Sequence, residues 1–241
     1  EDREPEGACG HLAAKTVTLC DRELVETTGR VVVMADVHGD GQQFVRALKT
    51  SGLVDDALRW TGGDTVLVQT GDVMDRGPDT ERIFEALQRL QVEAREAGGC
   101  VAQVLGNHEL LNLAGDFTYA DQAETANFGG PEQRFAKLGP EAPLGKYLRG
   151  LPLAVQVVQR HLDTGSNVTT VLVHAGIAPW LAKQMSVRDI NEAVRGALKG
   201  ASAREIQRYS ATNRMFLGQG PVWTRIYAMP DEAAVCSTRT V

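Results

Sequence analysis

The sequence predicts a layered α/β domain in which a mixed β-sheet is flanked by helices. Short runs of β-branched and apolar residues alternate with longer segments whose apolar residues recur at helical spacing. This alternation is typical of parallel strands that are connected by helices. Later in the chain, two strand-like runs enclose a segment rich in turn-forming residues, which indicates an antiparallel hairpin. Together these observations favour a sheet with both parallel and antiparallel pairs.

Three strands and two helices are predicted in the first half of the chain. The strands are the apolar runs at residues 30–35, 65–70 and 101–105. A helix over residues 42–51 follows the first strand. Pro78 opens a longer helix, because its fixed φ and missing N–H suit the first helical position. Gly98 and Gly99 end that helix.

The second half is less regular, and glycine and proline interrupt residues 115–150. Its predicted elements are a short helix after Asn107, a hairpin of residues 153–158 and 168–174, a helical segment at residues 186–209 and a last strand at residues 221–228. Residues 1–29 are polar and irregular. We therefore expect an N-terminal tail followed by one domain over residues 30–241.

Composition and charge narrow the class of protein. Of the 241 residues, 43% are hydrophobic and 23% are charged, which is typical of a globular domain. The formal net charge of −6 argues against nucleic acid as a partner, since nucleic-acid-binding proteins present basic surfaces. No apolar run approaches the ~20 residues of a membrane-spanning helix. The chain starts at Glu1, so we expect a soluble protein from which any targeting peptide has been removed, in an unassigned compartment.

The four cysteines are Cys9, Cys20, Cys100 and Cys236. None belongs to a CxxC pair, which argues against a zinc site built from cysteines. Their even number allows two disulfides, but free or buried thiols are the favoured interpretation.

Four polar clusters each follow a predicted strand. They are residues 36–40 (DVHGD), 71–77 (GDVMDRG), 106–109 (GNHE) and 174–176 (HAG). Ligands of open α/β sheets bind at the carboxyl ends of the strands, so the clusters should meet at one edge. Carboxylate, imidazole and amide donors without thiolates suit Mn, Fe or Zn. Each cluster alone is also consistent with a turn or a helix cap, but their shared position predicts a metal site.

The clusters supply ligands for two divalent metal ions. The first ion would be held by Asp36, His38 and Asp72. The second would be held by Asp72, Asn107 and His174, so that Asp72 forms a bridge. Such a pair lowers the pKa of a shared water and clamps phosphate oxygens during an in-line displacement. We expect two divalent ions as cofactors, with Mn favoured over Fe and Zn.

Three residues of the same clusters are candidates for catalysis. His108 is predicted to protonate the leaving oxygen while Asp75 orients its ring, as general-acid catalysis requires. Arg76 offers a planar pair of donors that matches two phosphate oxygens. The alternative is that Asp75 and Arg76 form a surface ion pair.

The four clusters resemble the signature of the calcineurin-like metallophosphoesterases. Asp75 and Arg76 in the second cluster, with Glu109 ending the third, indicate the phosphoprotein phosphatase type. Longer matches resemble the Shewanella-like protein phosphatases; they are residues 59–63 (RWTGG), 68–72 (VQTGD), 115–117 (GDF) and 220–225 (GPVWTR). The resemblance covers roughly residues 30–225 and implies the layered metallophosphoesterase fold.

For this family the resemblance implies a metal-dependent phosphomonoesterase. A water bound to both metals would attack the phosphate on serine, threonine or tyrosine of a phosphoprotein or phosphopeptide directly. Besides Arg76, Asn107 and Arg225 are expected to contact the substrate. Thr224 and Ile226 depart from the residues that usually flank the corresponding arginine of the family.

Two alternatives stay open. Residues 173–180 (VHAGIAPW) resemble the symmetrical diadenosine tetraphosphatases, a related branch that hydrolyses dinucleoside polyphosphates. Both branches carry a further metal-ligand histidine on a late strand, but no histidine follows His174 in this sequence. A catalytically weakened, phosphate-binding pseudophosphatase is therefore the other alternative.

The missing histidine also predicts that the domain over residues 30–241 is incomplete at its C-terminal end. The strands that contain Val66, Val101 and Val171 would then lack neighbours. Because an unpaired apolar sheet edge promotes association, we expect self-association through this edge.

Overall fold

The computed structural model describes residues 19–161 and 163–228, and within them two β-sheets pack against each other. The three-stranded sheet is parallel, in the order β3 (Val31–Met34), β4 (Val66–Gln69) and β5 (Cys100–Gln103). The four-stranded sheet has the order β1 (Leu19–Cys20), β2 (Leu24–Thr27), β6 (Ala154–Arg160) and β7 (Asn167–Val173). It is mixed, because β2 and β6 run parallel whereas the other neighbours are antiparallel.

Valine-rich strands form the core between the sheets. Inward side chains of both sheets meet in one apolar cluster that includes Val25, Val66, Val68, Ala102 and Val155. All residues of β4 and β5 are buried, which explains their continuous apolar patterning. The predicted α/β fold class is confirmed. The prediction that all strands share a single mixed sheet was wrong, because β3, β4 and β5 form a sheet of their own.

Helices pack on these sheets. They are α1 (Gly41–Thr50), α2 (Thr80–Glu96), α3 (Asn107–Leu113), α4 (Gln122–Asn127), α5 (Pro131–Lys137), α6 (Pro143–Arg149), α7 (Pro179–Ala182), α8 (Val187–Leu198), α9 (Ala203–Thr212) and a 3₁₀ helix (Ile226–Ala228). The side chain of Asp40 caps α1 by accepting a hydrogen bond from the N–H of Gln43 at 2.9 Å. Helix α2 buries Ile83, Phe84 and Leu87, which recur at helical spacing. Among the described residues, no helix combines the length and the hydropathy needed to cross a membrane.

The N-terminal segment belongs to a sheet rather than to a tail. Strand β2 pairs in parallel with β6, and Val25 within it is fully buried. The prediction that residues 1–29 form a tail was therefore wrong for the residues of β1 and β2. Residues 1–18 lie outside the described residues. This strand is hard to detect in the sequence because it is four residues long and half polar.

A disulfide joins the two sheets. Cys20 of β1 and Cys100 of β5 have Cα atoms 5.6 Å apart, which is within the range for such a bond. The preference for free thiols was wrong for this pair. The two cysteines are separated by 80 residues, so only the packing of one sheet on the other brings them together. Cys9 and Cys236 lie outside the described residues.

Two predictions for the C-terminal half also need correction. Residues 221–228 form turns and a 3₁₀ helix rather than a strand. The N–H groups of Trp223 and Thr224 bond back to the carbonyl of Gly220, at 3.1 and 2.9 Å, and this tight turn excludes an extended backbone. The helical segment at residues 186–209 is two helices, α8 and α9, separated by residues 199–202.

Apolar side chains are exposed on the outer strands of both sheets. Val33 of β3 is 51% exposed, and Val168 and Val171 of β7 are 49% and 39% exposed. The prediction of a missing neighbour was wrong for the strand of Val66, because β4 lies between β3 and β5. Strand β5 has no neighbour on its outer side within the described residues, although its Val101 side chain is buried. Self-association through Val171 and its neighbours on β7 stays a prediction.

Candidate active site

The predicted clusters converge because they follow adjacent strands. Asp36 follows β3 and Asp72 follows β4, and the N–H groups of Val37 and His38 donate to the carbonyl of Asp72 at 3.0 and 2.9 Å. Gly39, with φ +65°, lies so close to the next cluster that a Cβ there would overlap the backbone of residue 77. The backbone thus draws the first two clusters together.

Asp72 lies at the centre of the predicted metal ligands. Its Oδ2 atom is 3.8 Å from Nε2 of His38, 3.4 Å from Nε2 of His174 and 3.9 Å from Nε2 of His108. Two groups of three possible ligands share it, each with all ligand atoms within 4.8 Å: Asp36, Asp72 and His174, and His38, Asp72 and His108. Asp72 therefore occupies the position that a bridging carboxylate requires.

Two backbone carbonyls orient His38 and His174, which are predicted metal ligands. Nδ1 of His38 lies 2.9 Å from the carbonyl oxygen of Met74, and Nδ1 of His174 lies 2.9 Å from that of Thr70. With a proton on Nδ1 for these hydrogen bonds, Nε2 of each ring presents a lone pair toward Asp72.

The surroundings of His174 fit a cation. Its Nε2 atom is 2.8 Å from Oδ1 of Asn107 as well as 3.4 Å from the carboxylate of Asp72. Its Nδ1 atom lies 2.9 Å from the carbonyl oxygen of Thr70, so both ring nitrogens face acceptor oxygens, and an imidazole with a single N–H can donate to only one of them. An imidazole lone pair, an amide oxygen and a carboxylate therefore converge, and this donor set suits a divalent ion of the Mn, Fe or Zn type.

Glu109 holds the loop that carries Asp72, a supporting role that its sequence position did not indicate. Its fully buried carboxylate accepts hydrogen bonds from the N–H groups of Asp72, Val73, Met74 and Gly106, at 2.8 to 3.2 Å. Burial, followed by the charge of Asp72, raises the pKa of Glu109 above its usual value, although the backbone donors oppose this. The loop needs this support, because Asp72, Asp75 and Arg76 all have positive φ.

His108 and Asp75 form a buried pair beside the metal ligands. Nδ1 of His108 is 2.6 Å from Oδ2 of Asp75, and the two side chains are 3% and 1% exposed. Burial alone would lower the pKa of His108, but the hydrogen bond to Asp75 and the charges of Asp72 and Asp75 outweigh it and raise that pKa. Arg76 is exposed, and its Nη2 lies 3.4 Å from Nε2 of His108. The interpretation of Asp75 and Arg76 as a surface ion pair is wrong, since Asp75 is buried against His108.

Arg134 supports Asp75 from the opposite side, and no sequence signal pointed to it. Its Nη2 is 2.8 Å from Oδ1 of Asp75, and its Nη1 is 2.8 Å from Oε2 of Glu124. Asn112 joins the network by donating from Nδ2 to the Asp75 carboxylate at 2.9 Å. The rings of Phe117 and Phe128 lie 5.1 and 4.8 Å from the Arg134 guanidinium carbon. All the polar members are buried, so the position of Asp75 is fixed by several contacts.

Arg225 is in the same region, and its guanidinium bonds to backbone carbonyls of its own segment. The N–H groups of Ala175 and Gly176 donate to the carbonyl of Pro221 at 2.9 and 3.1 Å, which places the segment containing Arg225 beside His174. The guanidinium of Arg225 donates to the backbone carbonyl of Trp223 at 3.3 Å. Its role in substrate binding stays a prediction.

Two overlapping histidine–carboxylate groups, with a buried histidine–aspartate pair and an arginine beside them, define a dinuclear phosphoesterase type of site. Consistent with this, the chain belongs to the calcineurin-like phosphoesterase family, whose model matches residues 29–234. The chain is 31% identical over 211 residues to Shewanella-like protein phosphatase 2 of Arabidopsis thaliana, covering 73% of this chain and 53% of that protein. It is also 31% identical over 211 residues to an uncharacterised protein of Schizosaccharomyces pombe, covering 86% of this chain and 60% of that protein.

A solved structure shares the fold. The cold-active protein-tyrosine phosphatase of a psychrophilic Shewanella species superimposes with a TM-score of 0.74 at 26% identity, covering 90% of this chain and 64% of that one. The predicted resemblance to Shewanella-like phosphatases is confirmed. This chain spans 60% of the length of the Schizosaccharomyces pombe protein and 53% of that of the Arabidopsis phosphatase.

Proposed function

We propose that this chain is the catalytic region of a metal-dependent phosphoprotein phosphatase that removes phosphate from serine, threonine or tyrosine. One observation supports this most strongly. The buried His108–Asp75 pair, with its 2.6 Å contact, lies directly beside the donor groups that centre on Asp72. A protein that only bound phosphate would not require a proton donor at this position.

The donor groups are suited to two divalent metal ions. Asp36, His38 and Asp72 would hold one ion, since Nε2 of His38 lies 3.8 Å from a carboxylate oxygen of each aspartate. Asp72, Asn107 and His174 would hold the other. His108 is also within ligand distance of Asp72, but we assign it to proton donation instead. When bound, such ions supply Lewis acidity toward phosphate and lower the pKa of water. The donors of this chain suit Mn, Fe or Zn, and we propose Mn as the native metal.

The protein side chains position the substrate and supply the proton. Arg76 is exposed next to His108, so its guanidinium can bind two phosphate oxygens. His108 donates the proton on Nε2 to the leaving oxygen of the substrate. Asp75 accepts from Nδ1 and stabilises the protonated ring before transfer.

The environment of Trp180 argues against a dinucleoside polyphosphate substrate. A nucleotide hydrolase needs a free aromatic face for a base, and Trp180 is the aromatic candidate within residues 173–180, which carry the resemblance to those hydrolases. Its ring packs on the apolar core, and the guanidinium of Arg214 covers it at 4.3 Å. Together with the similarity to Shewanella-like protein phosphatase 2 and to the cold-active protein-tyrosine phosphatase, this favours the phosphoprotein substrate.

Phosphate release by the Mn²⁺-loaded chain tests the proposal. The substrates are phosphotyrosine and phosphothreonine peptides and diadenosine tetraphosphate, with His108→Asn as the inactive control. We expect release from at least one phosphopeptide and little from the dinucleotide. Release from the dinucleotide alone would contradict the proposal. Tight phosphopeptide binding without turnover would support the pseudophosphatase instead.

A further inference from the structure

A second cavity lies apart from the candidate active site. It measures about 300 Å³ and is bounded by β5, α2, α6 and the segment after β1. None of the proposed metal ligands or catalytic residues lines it. Its size falls at the lower end of ligand pockets, so a short segment of chain or a small molecule would fill it.

One wall of this cavity is the outer edge of β5. On the side that faces β4, the N–H groups of Cys100 and Val104 donate to the carbonyls of Thr65 and Gln69, at 3.1 and 3.0 Å. Backbone groups of a strand alternate between its two sides, so the N–H and C=O groups of residues 101 and 103 point to the outer edge. Within the described residues, no strand pairs with this edge. It therefore offers alternating donors and acceptors to the cavity.

A side-chain amide in the same wall is buried without a partner. Gln91 donates to the hydroxyl of Tyr147 at 3.1 Å, and Tyr147 donates to Oε1 of Gln103 at 2.9 Å. Burial raises the pKa of Tyr147 to about 12, so its hydroxyl keeps the proton that this relay needs. Gln103 is 2% exposed, and its Nε2 has no hydrogen-bond partner among the described residues. A buried donor of this kind favours a ligand with an oxygen acceptor.

The mouth of the cavity is positively charged, although the whole chain is acidic. Arg22, Arg95 and Lys146 line it, against the single carboxylate of Asp21. Lys146 forms an ion pair with Glu141 at 2.9 Å. Arg22 and Arg95 form no ion pair within the described part of the chain. Two guanidinium groups are thus available for carboxylates.

We propose that this cavity binds an extended acidic peptide segment of a protein partner. The backbone of the peptide would pair with the outer edge of β5, and its carboxylates would meet Arg22 and Arg95. A peptide fits better than a simple anion, because the carbonyls of residues 101 and 103 need donors that phosphate at neutral pH offers poorly. Nε2 of Gln103 would donate to an oxygen of the same peptide.

Fluorescence anisotropy with a labelled peptide of alternating valine and glutamate tests this proposal on the full 241-residue chain. We expect saturable binding that weakens about tenfold or more in the Arg22→Glu/Arg95→Glu variant, because two attractive contacts become repulsive. Arg188→Glu on the exposed surface of α8 is the matched control and should bind like the parent. Gln103→Glu, which keeps the acceptor for Tyr147 but replaces the free donor by a carboxylate, should also weaken binding.

Backbone methylation of the peptide distinguishes strand pairing from simple charge attraction. Two peptides are compared, one methylated on its odd-numbered amide nitrogens and the other on its even-numbered ones. Only one of these sets can face β5, so methylation should abolish binding of one peptide and leave that of the other nearly unchanged. Equal binding of both methylated peptides, full competition by inorganic phosphate, or no binding by the folded parent chain would overturn the proposal. Circular dichroism melting confirms that each variant is folded. Because the readout is binding, the result is independent of phosphatase activity.

Discussion

Arg134 connects the stability of the fold to the geometry of catalysis, so its replacement by methionine is an informative perturbation. The guanidinium lies between two buried carboxylates, 2.8 Å from Asp75 and 2.8 Å from Glu124. Arg134→Met preserves much of the apolar contact with the neighbouring phenylalanine rings. It leaves Asp75 and Glu124 buried without their cation.

The expected loss of stability follows from this burial. Removing one partner of a buried ion pair costs about 3–5 kcal/mol, because the remaining charge is neither solvated nor paired. Lys137→Met on the same helix is the matched control. Its ion pair with Glu81 is partly exposed, so we expect a loss of no more than about 1 kcal/mol. A loosened Asp75 would also misplace His108, and a displacement of ~1 Å lowers kcat about 10²-fold.

Urea unfolding and turnover of p-nitrophenyl phosphate measure the two effects. The double variant Arg134→Met/Glu124→Gln separates them. Its glutamine keeps the acceptor for the N–H of Asp75 and the hydroxyl of Thr80, while the unpaired charge is removed. We expect it to regain part of the stability but not the turnover, because Asp75 still lacks its cation. An Arg134→Met variant with the unfolding midpoint and kcat of the parent would refute this reasoning.

Three further predictions concern His108, Glu109 and the disulfide. His108→Asn should keep its metal content but lower kcat by ~10²–10⁴, with a smaller loss on p-nitrophenyl phosphate than on alkyl phosphates; equal losses measured on both would exclude His108 as the acid. Glu109→Gln should lower the free energy of unfolding by about 1–3 kcal/mol, because the NH₂ group of glutamine would replace one carboxylate oxygen that accepts backbone N–H groups. Urea titration measures this loss, and an unchanged midpoint would contradict it. Cys20→Ser/Cys100→Ser should cost about 2–4 kcal/mol, and the reductant sensitivity of the unfolding midpoint should disappear with the disulfide.

The convergence of the candidate site residues was largely predictable because they carry local signals. Asp36, Asp72, Asn107 and His174 each follow an apolar run, and the end of a strand can be recognised within a few residues of sequence. Their convergence then follows from the parallel order of β3, β4 and β5. The 3.4 Å approach of His174 to Asp72 agrees with that inference, although His174 follows a strand of the other sheet.

The parts that were missed depend on contacts between distant segments. Strand β2 is four residues long and becomes recognisable only by pairing with β6, more than a hundred residues later. The Cys20–Cys100 disulfide depends on the same packing of the two sheets. Arg134 looks like a surface residue of a short helix, and only its buried contacts with Asp75 and Glu124 show its role. A single sequence contains no local pattern for such contacts.

Metal binding by the parent chain and by Asp72→Asn is the most direct test of the proposed site. Removal of the shared carboxylate should abolish binding of both ions, because two adjacent cations repel each other strongly without a bridging anion. Asp40→Asn is the matched control, since asparagine preserves the cap of α1 and Asp40 is not a proposed ligand. Calorimetric titration with Mn²⁺ should show binding to the parent and Asp40→Asn, and none to folded Asp72→Asn. Two tightly bound Mn²⁺ ions in Asp72→Asn would contradict the account.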